Sequence, residues 1–194
     1  MKKLMLIITA LLMCLVMAAC GAADTSADTA DEDSGDNAVE AEYKALAIEN
    51  GTDMGTFETV DLEGNEVTDA IFADKDVTIV NVWATFCGPC MEEMPDLAKL
   101  SGDLPENAQI VGVVIDAPPS ESEIIDDARK ICEENGVTYK NLIASDSIMQ
   151  MFSSVEAVPT TFILDSEGKT VCKAILGADV RRYRSEALSY LKKK

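Results

Sequence analysis

Residues 77–90 read Val77-Thr-Ile-Val-Asn-Val-Trp-Ala-Thr-Phe-Cys-Gly-Pro-Cys90. Val77 to Trp83 is short, rich in β-branched residues and nearly all apolar, which predicts a strand buried on both faces. Cys87-Gly88-Pro89-Cys90 follows at once and opens a helical pattern. A bare C-x-x-C is ambiguous, because it also forms half of a zinc site. Zinc would need two further ligands. The chain has no histidine, and neither Cys132 nor Cys172 belongs to a second C-x-x-C. A strand–turn–helix context favours redox chemistry instead. A sulfur at a helix N-terminus lies near unpaired N–H groups and the positive end of the dipole, which favours thiolate over thiol at Cys87. Pro89 fits the first helical turn, where its missing N–H costs nothing. Cys90 lies one turn further on, in reach of a mixed disulfide at Cys87.

Outward from that motif the pattern stays regular. Downstream, a helix over about 88–101 places Met91, Met94, Leu97 and Ala98 on one face, with Gly102 expected at its C-terminal stop. Ile110 to Ile115 is a second buried strand. Ser120 and Glu123 predict a capping box for a helix carrying Ile124, Ala128, Ile131 and Cys132 and stopping at Gly136. A short helix from Asp146 carries Ile148, Met149 and Phe152. Thr160–Leu164 and Lys169–Leu176 are expected strands about a turn at Asp165–Gly168. Asp179 is expected to cap a last helix with Val180, Leu188 and Leu191 inward. Upstream, Phe57–Leu62 and Glu66–Thr68 flank a Glu63-Gly64-Asn65 turn as a hairpin. The expected order is hairpin, β, α, β, α, short α, β, β, α. It gives an α/β fold with a mixed central sheet and helices on both faces.

The chain has 194 residues, 16 Lys and Arg against 35 Asp and Glu, and a net charge of −19. One domain with accessories fits that length. Such acidity excludes nucleic acid as a natural partner. The lack of histidine removes Ser-His-Asp catalysis, Cys-His proteases and histidine-held metals. Lys2, Lys3 and the apolar run Leu4–Met17 have the pattern of a secretory signal peptide. Residues 21–50 are small, acidic and polar, the composition of a flexible, self-repelling tether. Three parts are thus expected: a leader over 1–20, a tether over 21–50 and a domain over 51–194.

Met17-Ala-Ala-Cys20 with Gly21 resembles a bacterial lipobox, which implies a lipidated Cys20 and a membrane-anchored, extracytoplasmic protein. Asn81–Cys90 with Glu93-Met-Pro95 resembles the thioredoxin superfamily, and more narrowly its membrane-anchored TlpA/ResA thiol-disulfide oxidoreductases. Ala157-Val158-Pro159-Thr160-Thr-Phe-Ile-Leu-Asp165 is similar to the cis-proline strand of that family. The hairpin and a helical insert at about 117–150 match its additions to the thioredoxin core. The resemblance spans roughly residues 52–192.

It implies that Cys87 is the nucleophile, Cys90 the resolving cysteine and Pro159 a cis-proline facing them. Val158 would offer free backbone groups to an extended substrate. Glu93 would handle the proton of Cys90, since Asn81 stands where thioredoxin has a buried aspartate; Glu92 is expected to face water. Trp83 and Phe86, with Gly88 and Pro89, would pack the loop and shape an apolar landing surface. No metal and no cofactor beyond the Cys87–Cys90 disulfide is implied. The partners implied are protein thiols and disulfides, and a CcdA-like membrane thiol carrier as electron donor. The Gly-Pro dipeptide matches thioredoxin's own and suggests a reductase. The same residues would serve a disulfide-forming oxidase at a higher potential. The intact C-x-x-C argues against a non-catalytic redox-sensing or binding lipoprotein. Cys132 and Cys172 are either buried free thiols or a structural disulfide, a choice that rests on their separation in space.

Overall fold

The computed structural model describes residues 48–194. The leader, Cys20 and residues 21–47 of the tether lie outside them. Ile48 packs against a core cluster, and the Gly51 amide donates to the Thr170 carbonyl at 2.7 Å. The domain's contacts therefore begin before residue 51.

The hairpin pairs β1 (Glu58–Val60) antiparallel to β2 (Glu66–Thr68) as a separate two-stranded sheet. A 3-10 helix (Asp69–Asp74) leads into β3 (Val77–Trp83), every residue of which is buried. Then follow α1 (Gly88–Asp103), β4 (Ala108–Val114), α2 (Ser122–Glu134), β5 (Asn141–Ile143), α3 (Asp146–Met151), β6 (Thr160–Asp165), β7 (Ile175–Leu176) and α4 (Val180–Leu191). The main sheet has the order β5-β4-β3-β6-β7, with β3, β4 and β5 parallel and β6 and β7 antiparallel. Two right-handed crossovers step in the same direction, from β3 to β4 and from β4 to β5, so α1 and α2 fall on one side. Strand alternation turns Val77, Ile79 and Trp83 toward that side, where α4 also packs. Val80, Val82, Val111, Val113 and Phe162 face the other way, onto Phe57, Val67, Phe72 and Ile148 of the hairpin, the 3-10 helix and α3. This is the expected mixed sheet with helices on both faces.

Several local expectations are corrected. The Ser120–Glu123 capping box does not form: Glu121 is the N-cap of α2 and makes no side-chain cap. The chain after Pro118-Pro119 first closes a turn, with the Glu121 amide on the Pro118 carbonyl at 3.0 Å. Gly102 lies inside α1. The helix ends instead because Pro105 holds Leu104 extended, at φ −71° and ψ 148°. The expected strand over 169–176 is interrupted: Lys169–Val171 bonds to β6 through one edge and to residues 51–54 through the other, the chain leaves the ladder at 172–174, and only Ile175–Leu176 forms a strand. Cys172 is consequently not on a strand face. In α4 the buried residues are Tyr183 and Ala187, with Val180, Tyr190 and Leu191 partly buried beside them; Leu188 is not in that core cluster. Met149 is exposed, whereas Ile148 and Phe152 are buried. The strand β5 and the 3-10 helix were not expected. Three residues are too few to show a period.

Candidate active site

Cys87 is the N-cap of α1, and the Cys90 amide donates to Cys87 Sγ at 3.2 Å. The two sulfurs form a disulfide with a Cα–Cα separation of 5.3 Å. Both cysteines are buried, while Gly88, Pro89 and Phe86 beside them are exposed. The loop that carries Cys87 is held from β4's far end. Asp116 accepts from the Thr85 amide at 3.1 and 3.0 Å and from the Thr85 hydroxyl. The Cys87 amide then closes a turn on Ala84 at 3.0 Å.

Trp83 departs from its expected place. It has no exposure at all, and its indole N–H donates to Asn141 Oδ1 at 2.9 Å. It supports the loop from beneath and presents no surface to a substrate. The arrangement needs glycine at 112: a Cβ there would sit 1.8 Å from Asn141 Oδ1. Phe86, 76% exposed, is left as the aromatic of the rim.

One helical turn beyond Cys90, Glu93 belongs to a buried polar cluster. Glu93 is 5% exposed, whereas Glu92 faces water. Asn81 Nδ2 donates to Glu93 Oε1 at 2.8 Å and to Thr161 Oγ1 at 3.0 Å. The Tyr183 hydroxyl lies 3.0 Å from Glu93 Oε2. Burial pushes the Glu93 carboxyl up to about 7; the bonds from Asn81 and Tyr183 oppose this, and the charge of Asp179 adds to it. A carboxyl poised there can both take and give a proton at neutral pH. Among the described residues Asn81 Oδ1 has no partner although it is buried.

The Val158–Pro159 bond is cis, as expected. Val158 packs against the cluster containing Cys87, Cys90, Trp83 and Met94. The Pro159 carbonyl accepts from the Gly177 amide at 2.9 Å. Cys132 and Cys172 are free thiols. They belong to different core clusters, so no structural disulfide joins them. Burial pushes their thiols up to about 12 and about 11. The residues that sequence reasoning missed are Tyr183, Thr161, Asn141 and Asp116. Only Tyr183 left a signal, the spacing Val180-Tyr183-Ala187-Tyr190 on one helix stripe.

Comparison with known proteins agrees with this geometry. Residues 41–191 match the redoxin family. The thiol-disulfide oxidoreductase ResA of Geobacillus thermodenitrificans is 30% identical over 153 residues, covering 78% of this chain and 82% of that protein. The thioredoxin-like protein YneN of Bacillus subtilis is 30% identical over 126 residues, covering 64% of this chain and 71% of its own length. A solved structure from Chlorobium tepidum, described as a putative thiol:disulfide interchange protein DsbE, superposes with a TM-score of 0.62 at 20% identity. It covers 74% of this chain and 99% of that one, and speaks for the fold. The chain belongs to the redoxin family, among the thioredoxin-like thiol-disulfide oxidoreductases of the TlpA/ResA kind.

Proposed function

We propose that this redoxin-family oxidoreductase is an extracytoplasmic, lipid-anchored reductase that returns disulfides of exported proteins to thiols. The observation that carries the reading is the Cys87–Cys90 pair at the N-terminus of α1, with a buried carboxyl raised to about 7 three residues further along the same helix. The leader with its lipobox at Cys20 supports the anchoring and the location.

In the reduced enzyme the Cys87 thiolate attacks one sulfur of a substrate disulfide. An S–S bond forms to the substrate, and the other substrate sulfur leaves as thiolate. Cys90 then gives its proton to the Glu93 carboxylate and attacks Cys87 Sγ. The mixed disulfide breaks, the second substrate thiolate leaves, and the Cys87–Cys90 disulfide remains. Two electrons pass from the enzyme to the substrate, and solvent or Glu93 protonates the released thiolates. Phe86, Gly88 and Pro89 form the surface on which the substrate rests, and the Val158 backbone pairs with it in extended form. A CcdA-like membrane thiol carrier restores the dithiol. Substrates of this chemistry include apocytochrome c cysteines, an extracellular methionine sulfoxide reductase and misoxidised secreted proteins.

Equilibrating the protein with a thiol buffer measures the potential of the pair. A value near −270 mV, on the order of thioredoxin's, supports reduction. A value of about −120 mV reverses the direction and makes disulfide formation the activity.

A further inference from the structure

The hydroxyl of Tyr183 meets four groups, the Thr161 hydroxyl among them, and has one proton to give. It lies 2.7 Å from the Gly177 carbonyl and 3.0 Å from Glu93 Oε2, and it accepts from the Asp179 amide at 3.1 Å. A phenol donates once and accepts twice at most. With Glu93 protonated, the carboxyl asks no proton of Tyr183, and the phenol donates to Gly177 while accepting from the Asp179 amide. With Glu93 charged, the carboxylate competes for the Tyr183 proton, and a hydrogen bond to an ionised acceptor is roughly twice as strong as one to a neutral carbonyl. The Gly177 carbonyl then loses its donor. Residue 177 is not remote from the substrate segment, because its amide donates to the Pro159 carbonyl at 2.9 Å.

We propose that Tyr183 is a positioning residue that carries the protonation state of Glu93 to the Gly177 backbone, and through it to the cis-proline segment. The Tyr183 proton rests on Glu93 Oε2 when the carboxyl is charged and on the Gly177 carbonyl when it is neutral. Proton uptake from Cys90 would thereby be registered where the substrate is held. This consequence rests on the proton role proposed for Glu93, whereas the linkage between Glu93, Tyr183 and Gly177 does not.

The groups that bear on this titration come from every neighbouring element. Burial holds Tyr183 up at about 12, so it stays protonated while Glu93 titrates near 7. Tyr139, before β5, is likewise raised by burial and senses the charge of Glu93. Asp179, before α4, contributes a negative charge. Asn81 and Thr161 are neutral, and Cys90 is tied in the disulfide.

The test is an NMR titration of the full chain in its oxidised form, without substrate. It follows the Glu93 carboxyl carbon and the Ala178 amide nitrogen, whose peptide contains the Gly177 carbonyl. Both are expected to move with one midpoint in the unaltered protein. In Tyr183→Phe the Ala178 response at that midpoint should vanish and the Glu93 midpoint should rise by roughly one pH unit, as a donor to the carboxylate is lost. Glu93→Gln, which has no carboxyl proton to exchange, should lose the Ala178 response at that midpoint as well, and it keeps the test open if Tyr183→Phe folds poorly. An Ala178 response that survives in Tyr183→Phe or Glu93→Gln, or that never shares the Glu93 midpoint, overturns the proposal. If the shared midpoint is found but turnover shows no inflection there, the linkage stands and the proton role of Glu93 in catalysis falls.

Discussion

Glu93 and Tyr183 stand 90 positions apart in the chain and share a buried hydrogen bond of 3.0 Å. One comes from the helix that begins at the active site, the other from the last helix. Their contact is possible because both helices pack on the same side of the sheet. The same packing takes the carboxyl out of water, and this burial favours its neutral form.

That displacement has a sign for stability. The folded protein holds the Glu93 proton up to about pH 7, whereas an unfolded chain releases it near the ordinary value of 4.5. The stabilisation is therefore complete below pH 4.5 and lost as pH rises through about 7. Glu93→Gln, neutral throughout, should gain on the unaltered protein as pH rises. The gain should approach a ceiling of roughly 3 kcal/mol above pH 8. Urea unfolding at pH 5 and pH 8.5 reads this difference, and equal midpoint shifts at both pH values would refute it.

The two cysteines of the pair have unequal roles. Cys87→Ser should lose turnover by several orders of magnitude, because the attacking thiolate is gone. Cys90→Ser should still attack and then stall, so that a model disulfide protein accumulates on Cys87. Non-reducing gels with peptide mass mapping show which sulfur is joined, and a product mapped to Cys132 or Cys172 would contradict the assignment.

Cys132 and Cys172 should be silent in the folded protein. With thiols raised to about 12 and about 11, the thiolate at pH 8 is on the order of one part in ten thousand and one in a thousand. Brief iodoacetamide treatment of the reduced native protein should label Cys87 first and these two only after denaturant is added. Mass spectrometry gives the order directly.

Gly112→Ala should unfold the support under the active-site loop. The new methyl meets Asn141 Oδ1, so the Trp83–Asn141 bond and the packing of the indole cannot both survive. A loss of roughly 1–3 kcal/mol is expected from overpacking. Urea denaturation measures it, and tryptophan fluorescence reports the same site because Trp83 is the one tryptophan in the chain.

Phe86→Ala should leave stability within roughly 0.5 kcal/mol, since the ring is 76% exposed. It should also leave the reduction potential unchanged while raising KM for a protein disulfide. An equal loss with a small disulfide reagent would remove Phe86 from substrate contact.

The sequence by itself determined the chemistry and most of the architecture. The continuous apolar run at Val77–Trp83 dictates a buried strand, the Cys87–Cys90 spacing places two sulfurs one helical turn apart, and both signals are local. Glu93 was legible for the same reason, lying three residues beyond Cys90 on that helix. What tertiary structure alone decided was everything that depends on which distant surfaces meet. It withdrew Trp83 from the substrate surface by burying it against Asn141. It broke the expected strand at Lys169–Leu176 between residues 171 and 175 and gave Gly168–Thr170 a second partner in residues 51–54. It left Cys132 and Cys172 apart as free thiols. It brought Tyr183 to Glu93 and took the carboxyl out of water, and that burial raised the carboxyl's proton affinity against the pull of the Tyr183 bond, because desolvation and hydrogen bonding act through space and leave no period in the chain.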